Sequence, residues 1–295
     1  MPITATAIWS LLRQTLLSWL DDYAPSMGAA LAFYTLFSLA PLMLIVVSVG
    51  GMVFGEEAAR GEIAAQLVQL MGAGGALAVQ DLLASVRQTT QGSLATVLGF
   101  TLLLLGATTV FAELQNALDR IWHAPPSWNG GTWLVLVRAR LLSFGMILAI
   151  GFLLLVSLVF SATLALMGRW IEPFFGAWYA LAAISNGVAA FAMVTAMFAV
   201  IYKVMPRARV QWRDVWTGAL FTAMLFSFGR YLIGLYIGRS GVVSGFGAAG
   251  SLVVILLWVY YSAQIFLLGA EFTWVYANTF GSRQPGGEHA ETPAG

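Results

Sequence analysis

The sequence predicts an all-α fold, a polytopic membrane protein built as a six-transmembrane-helix bundle, and three observations carry that expectation. First, 60% of the 295 residues are hydrophobic and 9% are charged, where a soluble domain carries about 25% charged residues. With a mean hydropathy of +0.84, much of the surface must face lipid rather than water. Second, the 14 basic and 13 acidic residues cluster so as to leave charge-poor intervals of the roughly 20 residues that a helix needs to cross about 30 Å of hydrocarbon. Third, Trp9, Trp19, Trp122, Trp128, Trp133, Trp170, Trp178, Trp212, Trp216 and Trp274 fall near the ends of those intervals, as an interfacial aromatic belt requires. Trp258 lies inside one, where its indole N–H needs a partner.

The N-terminal stretch MPITATAIWSLLRQTLLSWLDDYAPS lacks the basic region and long apolar core of a cleaved signal, so the first apolar segment is expected to stay as a span. Before it, Ile8, Leu12, Leu16 and Trp19 recur at helical spacing while Arg13, Gln14 and Ser18 take other faces. This predicts an N-terminal amphipathic helix, either lying on the membrane interface or packed onto the spans. The six spans are expected near residues 28–54, 94–114, 141–167, 178–203, 215–238 and 250–276. In the first, Pro41 is a mid-span proline beside the polar run Tyr34, Thr35 and Ser38, a candidate hinge. Between spans one and two, the outer loop 56–93 holds two apolar stripes, Ile63, Leu67 and Leu70, then Val79, Leu82, Leu83 and Val86, with Gly72, Gly74 and Gly75 between them. A helical hairpin with a glycine turn is expected, either capping the bundle or touching lipid headgroups. Gly234 and Gly238 on span five form a small-xxx-small pair. The glycine-rich stretch Gly238 to Gly250 is either a flexible loop or a re-entrant segment. Residues 1–280 thus read as one membrane domain, and 281–295 as a disordered cytoplasmic tail.

An even number of spans puts both termini on one side. Arg13, Arg120, Arg138, Arg140, Lys203, Arg207, Arg209, Arg213 and Arg283 fall on that side and only Arg60, Arg87, Arg169 and Arg239 on the other, nine against four. Under the positive-inside rule the N- and C-termini are cytoplasmic.

Composition also excludes function classes. A net charge of +1 gives no platform for nucleic acid, which needs a marked excess of Lys and Arg. With no Cys and only His123 and His289, thiolate or imidazole metal sites and Ser-His catalysis lack parts, so no metal, cofactor or catalytic residue is expected. There is no Walker A pattern.

Ionisable groups at membrane depth are then the functional candidates, weighed against the alternative that they only lock helices together. At the end of span two, FAELQNALDRIW places Glu113, Asn116 and Arg120 on one face and Gln115 and Asp119 on another. Arg230 sits about halfway along span five and calls for an anionic or carbonyl partner. In span six, Tyr260 or Tyr261, Gln264 and Glu271 form one polar stripe. Glu113, Asn116, Arg120, Arg230, Tyr261, Gln264 and Glu271 are therefore the candidate substrate-binding or helix-locking residues.

The segments MGAALAFYTLFSLAPLMLIVVSVGGMVFG, LQNALDRIWHAP, YKVMPRARVQWRDVWTGAL and LLWVYYSAQIFLLGAEFTWVYA, in that order, resemble the YihY/BrkB family of bacterial inner-membrane proteins. The likeness extends to about Tyr276 and implies six spans with cytoplasmic termini, an inner-membrane location and a role in envelope lipid handling. Members of that family usually carry Asn where this chain has Asp119. The family's older ribonuclease label finds no support in these residues, since the cytoplasmic loops offer only scattered Asp119 and Asp214. The expected function is a transporter or flippase-like protein for an amphipathic or anionic, lipid-related envelope substrate, with membrane lipids as partners. The competing expectation is a non-transporting scaffold of the envelope, as a homo-oligomer or with another envelope partner. An intramembrane enzyme ranks last, because no nucleophile and base are paired.

Overall fold

A computed structural model describes residues 5–54, 73–81, 109–124, 178–239 and 249–284, with scattered positions between 57 and 84 and at 246. The expected span 141–167, most of span 94–114, much of the outer loop, most of the Gly238–Gly250 stretch, the tail beyond 284, and Trp128, Trp133 and Trp170 lie outside the described residues. Every described element is helical: α1 (Ala5–Asp21), α2 (Ala24–Phe54), α3 (73–81), α4 (109–121), α5 (Trp178–Val204), α6 (Trp212–Arg239) and α7 (Gly250–Thr279). Among the described residues, three stretches are long and apolar enough to cross a membrane, Gly187–Val204, Trp212–Ile237 and Gly250–Thr279. The helices α5, α6 and α7 that contain them coincide to within a few residues with the apolar ranges 178–203, 215–238 and 250–276, because a charge in hydrocarbon costs so much that charges mark the ends. Helix α2 continues as one helix through Pro41.

Local chemistry explains the helix ends. Tyr23 adopts φ 58° between α1 and α2, and its carbonyl accepts the first bonds of α2 from the N–H groups of Ser26 and Met27. Pro25 occupies the first turn of α2, where a missing N–H costs nothing. At the end of α4, His123 sits at φ 47°. The N–H of Ala124 donates to Asp119 O at 2.8 Å and that of His123 to Arg120 O at 3.0 Å, the two bonds of a Schellman cap.

The main core joins α2, α4, α5, α6 and α7 through Met27, Leu31, Leu118, Ile121, Tyr202, Val215, Phe266 and Leu267. At the opposite end, Ala76 and Val79 of α3 pack with Ile237, Val254 and Ile255. The glycines expected to turn the outer hairpin behave otherwise. Gly74 and Gly75 lie within helical α3, and a Cβ at Gly74 would stand 3.3 Å from Ile237 Cγ2. A glycine in a polar loop reads as a turn, yet here it lets α3 approach α6 closely while capping the bundle.

Helix α1 packs onto the bundle by one face and leaves another apolar face exposed. Leu11 packs with Phe272 and Val275 of α7 and Thr15 is buried, while Trp9 is 71% exposed and Leu16 and Leu20 are also exposed. A helix with one face on the bundle and another apolar face free suits the membrane interface.

The α6–α7 contact rests on a repeat. Gly218-Ala219-Leu220-Phe221-Thr222 of α6 matches Gly269-Ala270-Glu271-Phe272-Thr273 of α7 at four of five positions. Each threonine hydroxyl donates to its own helix's glycine carbonyl at 2.7 Å, and each packs against the glycine of the other helix. Phe221 and Phe272 stack with ring centroids 4.0 Å apart. The hydroxyl of Tyr202 on α5 donates to Phe266 O at 2.7 Å and lies 3.0 Å from Thr222 Oγ1. Gly234, by contrast, faces open space, so the close approach of α6 uses Gly218 and Gly229 instead.

Candidate functional site

The repeated pentapeptide differs in its middle residue, and that difference defines the site. Leu220 on α6 is exposed, whereas Glu271 on α7 is 0% exposed. Helix geometry alone would treat the two alike. Burial differs because the α1–α2 junction covers α7 and brings Asp22, then Asp21, close enough to act on Glu271 electrostatically. Neither carboxylate oxygen of Glu271 meets a fixed N–H or O–H donor among the described residues; the group can share a hydrogen bond with the Asp22 carboxyl group when a proton lies between the two. Asp22 in turn faces Arg120, Nε to Oδ1 3.9 Å, and the Arg120 guanidinium lies 5.2 Å over the Tyr23 ring. Since half of the Arg120 side chain is exposed, that ion pair contributes little, about 0–1 kcal/mol. The Asp22–Glu271 pair is different in kind. Burying a carboxyl group without a fixed donor costs free energy that packing must offset, and a fold that retains one holds it against its own stability.

The other candidates are distributed around this pair. Gln264, about two turns before Glu271, donates its amide to Pro25 O at 3.4 Å and fits over Gly28, which has no side chain to obstruct it. Tyr261 places its hydroxyl against Gly229 of α6. Arg230, the next residue, is on the exposed side of α6 with Phe228 and Tyr231. On α4, Glu113, Asn116 and Arg120 share a face as the spacing predicts, and it is the outer one. Glu113 is half-buried and the other two are exposed, while Ala117, Leu118 and Ile121 enter the core.

The second polar pair of α4 has a clear structural use. Gln115 donates to Met205 O at 3.1 Å, and Asp119 accepts from the Arg207 N–H at 2.7 Å with Arg207 Nε 3.5 Å from its other oxygen. Together they hold the turn between α5 and α6. Burial pushes the Asp119 carboxyl above the usual carboxylate value, outweighing the Arg207 amide and guanidinium that pull it down. The native state therefore binds this proton more tightly than the unfolded chain does. Its contribution to stability is fully present below the unfolded value and is lost as pH rises through the folded one. Asp119→Asn keeps an oxygen for the Arg207 amide and removes the titration. The expected result is a thermal midpoint equal to or above wild type at neutral pH, with the gap closing as the buffer is acidified. A variant that is less stable at neutral pH than in acid, relative to wild type, would show that the Arg207 pair outweighs burial.

Trp258 packs edge-on to Phe226 at 6.2 Å, and its indole nitrogen has no hydrogen-bond partner among the described residues, unlike the sequence expectation. Sequence reasoning missed Asp22 altogether. The signal available was its position, an acidic pair immediately before a charge-free interval on the same side as Glu271. The ring of His123 lies 5.0 Å from that of Trp274, near the end of α7.

Comparison with known proteins fits this arrangement. Residues 15–293 match the family described as virulence factor BrkB. A UPF0761 membrane protein of Pseudomonas paraeruginosa is 30% identical over 258 residues, covering 85% of this chain and 59% of the relative. Those of Verminephrobacter eiseniae and Alcanivorax borkumensis are 27% and 29% identical, covering 90% and 85% of this chain and 62% and 56% of theirs. The chain thus spans about three-fifths the length of these curated relatives. No solved structure matches. With spans, polar junction and a match over nearly its whole length, the chain is a membrane protein and belongs to the BrkB family.

Proposed function

We propose that this protein is a transporter or flippase-like protein that moves an amphipathic, anionic, lipid-related substrate across the bacterial inner membrane, with six spans and both termini in the cytoplasm. The observation that carries the reading is Glu271, a wholly buried carboxyl group inside a membrane-crossing helix, without a fixed donor among the described residues and next to a second carboxyl group with which it can share a proton. Helices that need only to be locked together are locked more cheaply by the glycine and threonine contacts that α6 and α7 already make. A carboxyl pair at the joint of α1, α2 and α7 can exchange a proton or a cation, which a coupled transport cycle uses. Its link through Asp22 to Arg120 reaches the exposed end of α4, so the pair has a route to solvent. The apolar outer stripe of α6, with Trp216, Leu220, Met224 and Phe228 all exposed, suits lipid contact.

The test is reconstitution of the full chain in liposomes with a fluorescent phosphatidylglycerol, following how much label a membrane-impermeant quencher reaches. Exchange faster than in protein-free vesicles, and dependent on Glu271, is expected. Vesicles with wild-type protein that match empty ones, across a range of pH and labelled anionic lipids, would overturn the reading.

A further inference from the structure

A cleft of about 750 Å³ opens where α5, α6 and the end of α7 meet. Among the described residues its charged lining is wholly basic: Lys203 from α5, Arg209 from the turn, Arg213 from α6 and Arg283 after α7. The nearest acid in sequence, Asp214, is 1% exposed, and its carboxylate accepts from the N–H and hydroxyl of Ser282. That contact pins the segment carrying Arg283 to the first turn of α6.

Two of the four cations are braced. Lys203 Nζ donates to Val210 O and lies 5.5 Å over the Trp212 ring. Arg283 Nη2 donates to Arg209 O at 2.8 Å, with its guanidinium 5.0 Å over the Trp122 ring. The other two, Arg209 and Arg213, are exposed, and among the described residues neither guanidinium enters a hydrogen bond or ion pair. Like charges gathered around one space raise its potential and favour an anion within it. The first turn of α6, with its positive dipole end, adds to the same field.

Depth and size select the anion. One membrane-crossing stretch ends at Val204 and the next begins at Trp212, so the cleft lies where the helices leave hydrocarbon, at the level of lipid headgroups. Its volume falls in the range of sites that enclose an organic group rather than a bare ion, about 300–1,000 Å³. We propose that this cleft binds the phosphate headgroup of an anionic lipid, with Arg209 and Arg213 gripping the phosphate oxygens through paired N–H groups and Lys203 and Arg283 supplying fixed positive charge. The site is separate from the Asp22–Glu271 pair and stands whether or not the protein transports.

The full chain in neutral detergent is titrated with short-chain phosphatidic acid, phosphatidylglycerol and phosphatidylcholine, and separately with glycerol phosphate and inorganic phosphate, reading heat of binding. Saturable binding of the two anionic lipids is expected. The pair Arg209→Gln and Arg213→Gln should weaken it at least about tenfold, whereas Arg13→Gln with Arg239→Gln, which removes the same charge elsewhere, should leave it unchanged. Circular dichroism and thermal midpoints confirm that each variant is folded. Equal weakening by both pairs would mean diffuse charge and overturn the site, as would folded wild-type protein without saturable lipid binding. Glycerol phosphate or inorganic phosphate binding as tightly as the lipids would overturn the lipid assignment in favour of a soluble anion.

Discussion

Glu271→Gln is expected to yield a protein that folds at least as well as wild type and has lost most of its exchange activity, a fall of at least about tenfold, together with its pH dependence. The two halves of that result belong together. Gln fills the same space as Glu, so the packing of α7 against α1 and α2 is kept, while the buried ionisable group beside Asp22 disappears. Because the Glu271 oxygens meet no fixed donor among the described residues and face Asp22, the substitution removes the contact between two carboxyl groups, and the new amide N–H can donate to Asp22 in its place. Unfolding free energy is expected to stay level or rise by about 1 kcal/mol, the usual sign of a residue kept for function at the expense of stability. Asp22→Asn should act in the same direction on activity but less strongly, since Asp22 already faces Arg120 and is partly solvated. Thermal midpoints in detergent and label exchange in liposomes across pH check both. If Glu271→Gln instead lowered the midpoint by several degrees and left exchange intact, the group would be a lock and the transport reading would lose its main support.

What could be foreseen in the sequence follows from how local each force is. The spans 178–203, 215–238 and 250–276 match α5, α6 and α7 closely because the cost of a charge in lipid acts residue by residue. Glu271 could be found the same way, as an ionisable group in an apolar run. Its neighbour Asp22 could not, since only the packing of α7 against the α1–α2 junction brings them together. Arg120 reaches the surroundings of Glu271 through Asp22. Spacing correctly put Gln115 and Asp119 on one face of α4, but nothing local said that this face would hold the α5–α6 turn. The glycines were hardest to read. A glycine carries no chemistry of its own, so Gly74 and Gly75 resembled a turn and Gly234 a helix contact. The functional ones, Gly218 and Gly269, are distinguished only by the repeat in which each precedes a threonine by four residues.

That repeat supports the second large effect, on stability. Gly218→Ala and Gly269→Ala should each destabilise the fold by about 1–3 kcal/mol, and the two together should leave little folded protein. A Cβ on Gly269 would land on Thr222 Oγ1 and stand 2.6 Å from the Tyr202 hydroxyl, and one on Gly218 would land on Thr273 Oγ1 and 2.7 Å from that residue's Cβ. Neither threonine can rotate away freely. Both are fully buried, both are β-branched, and each hydroxyl is tied back to its own helix. The helices must therefore separate, which also opens the Phe221–Phe272 stack and shifts α7 under Glu271. Gly234→Ala provides the contrast, because its Cβ meets open space; there the gain in helix propensity alone should stabilise by about 0.5–1 kcal/mol. Thr273→Ala in the Gly218→Ala background removes the clashing hydroxyl and should restore part of the loss, so that the two substitutions cost less together than their sum. Equal midpoints for Gly269→Ala and Gly234→Ala would show that α6 and α7 do not approach through these glycines.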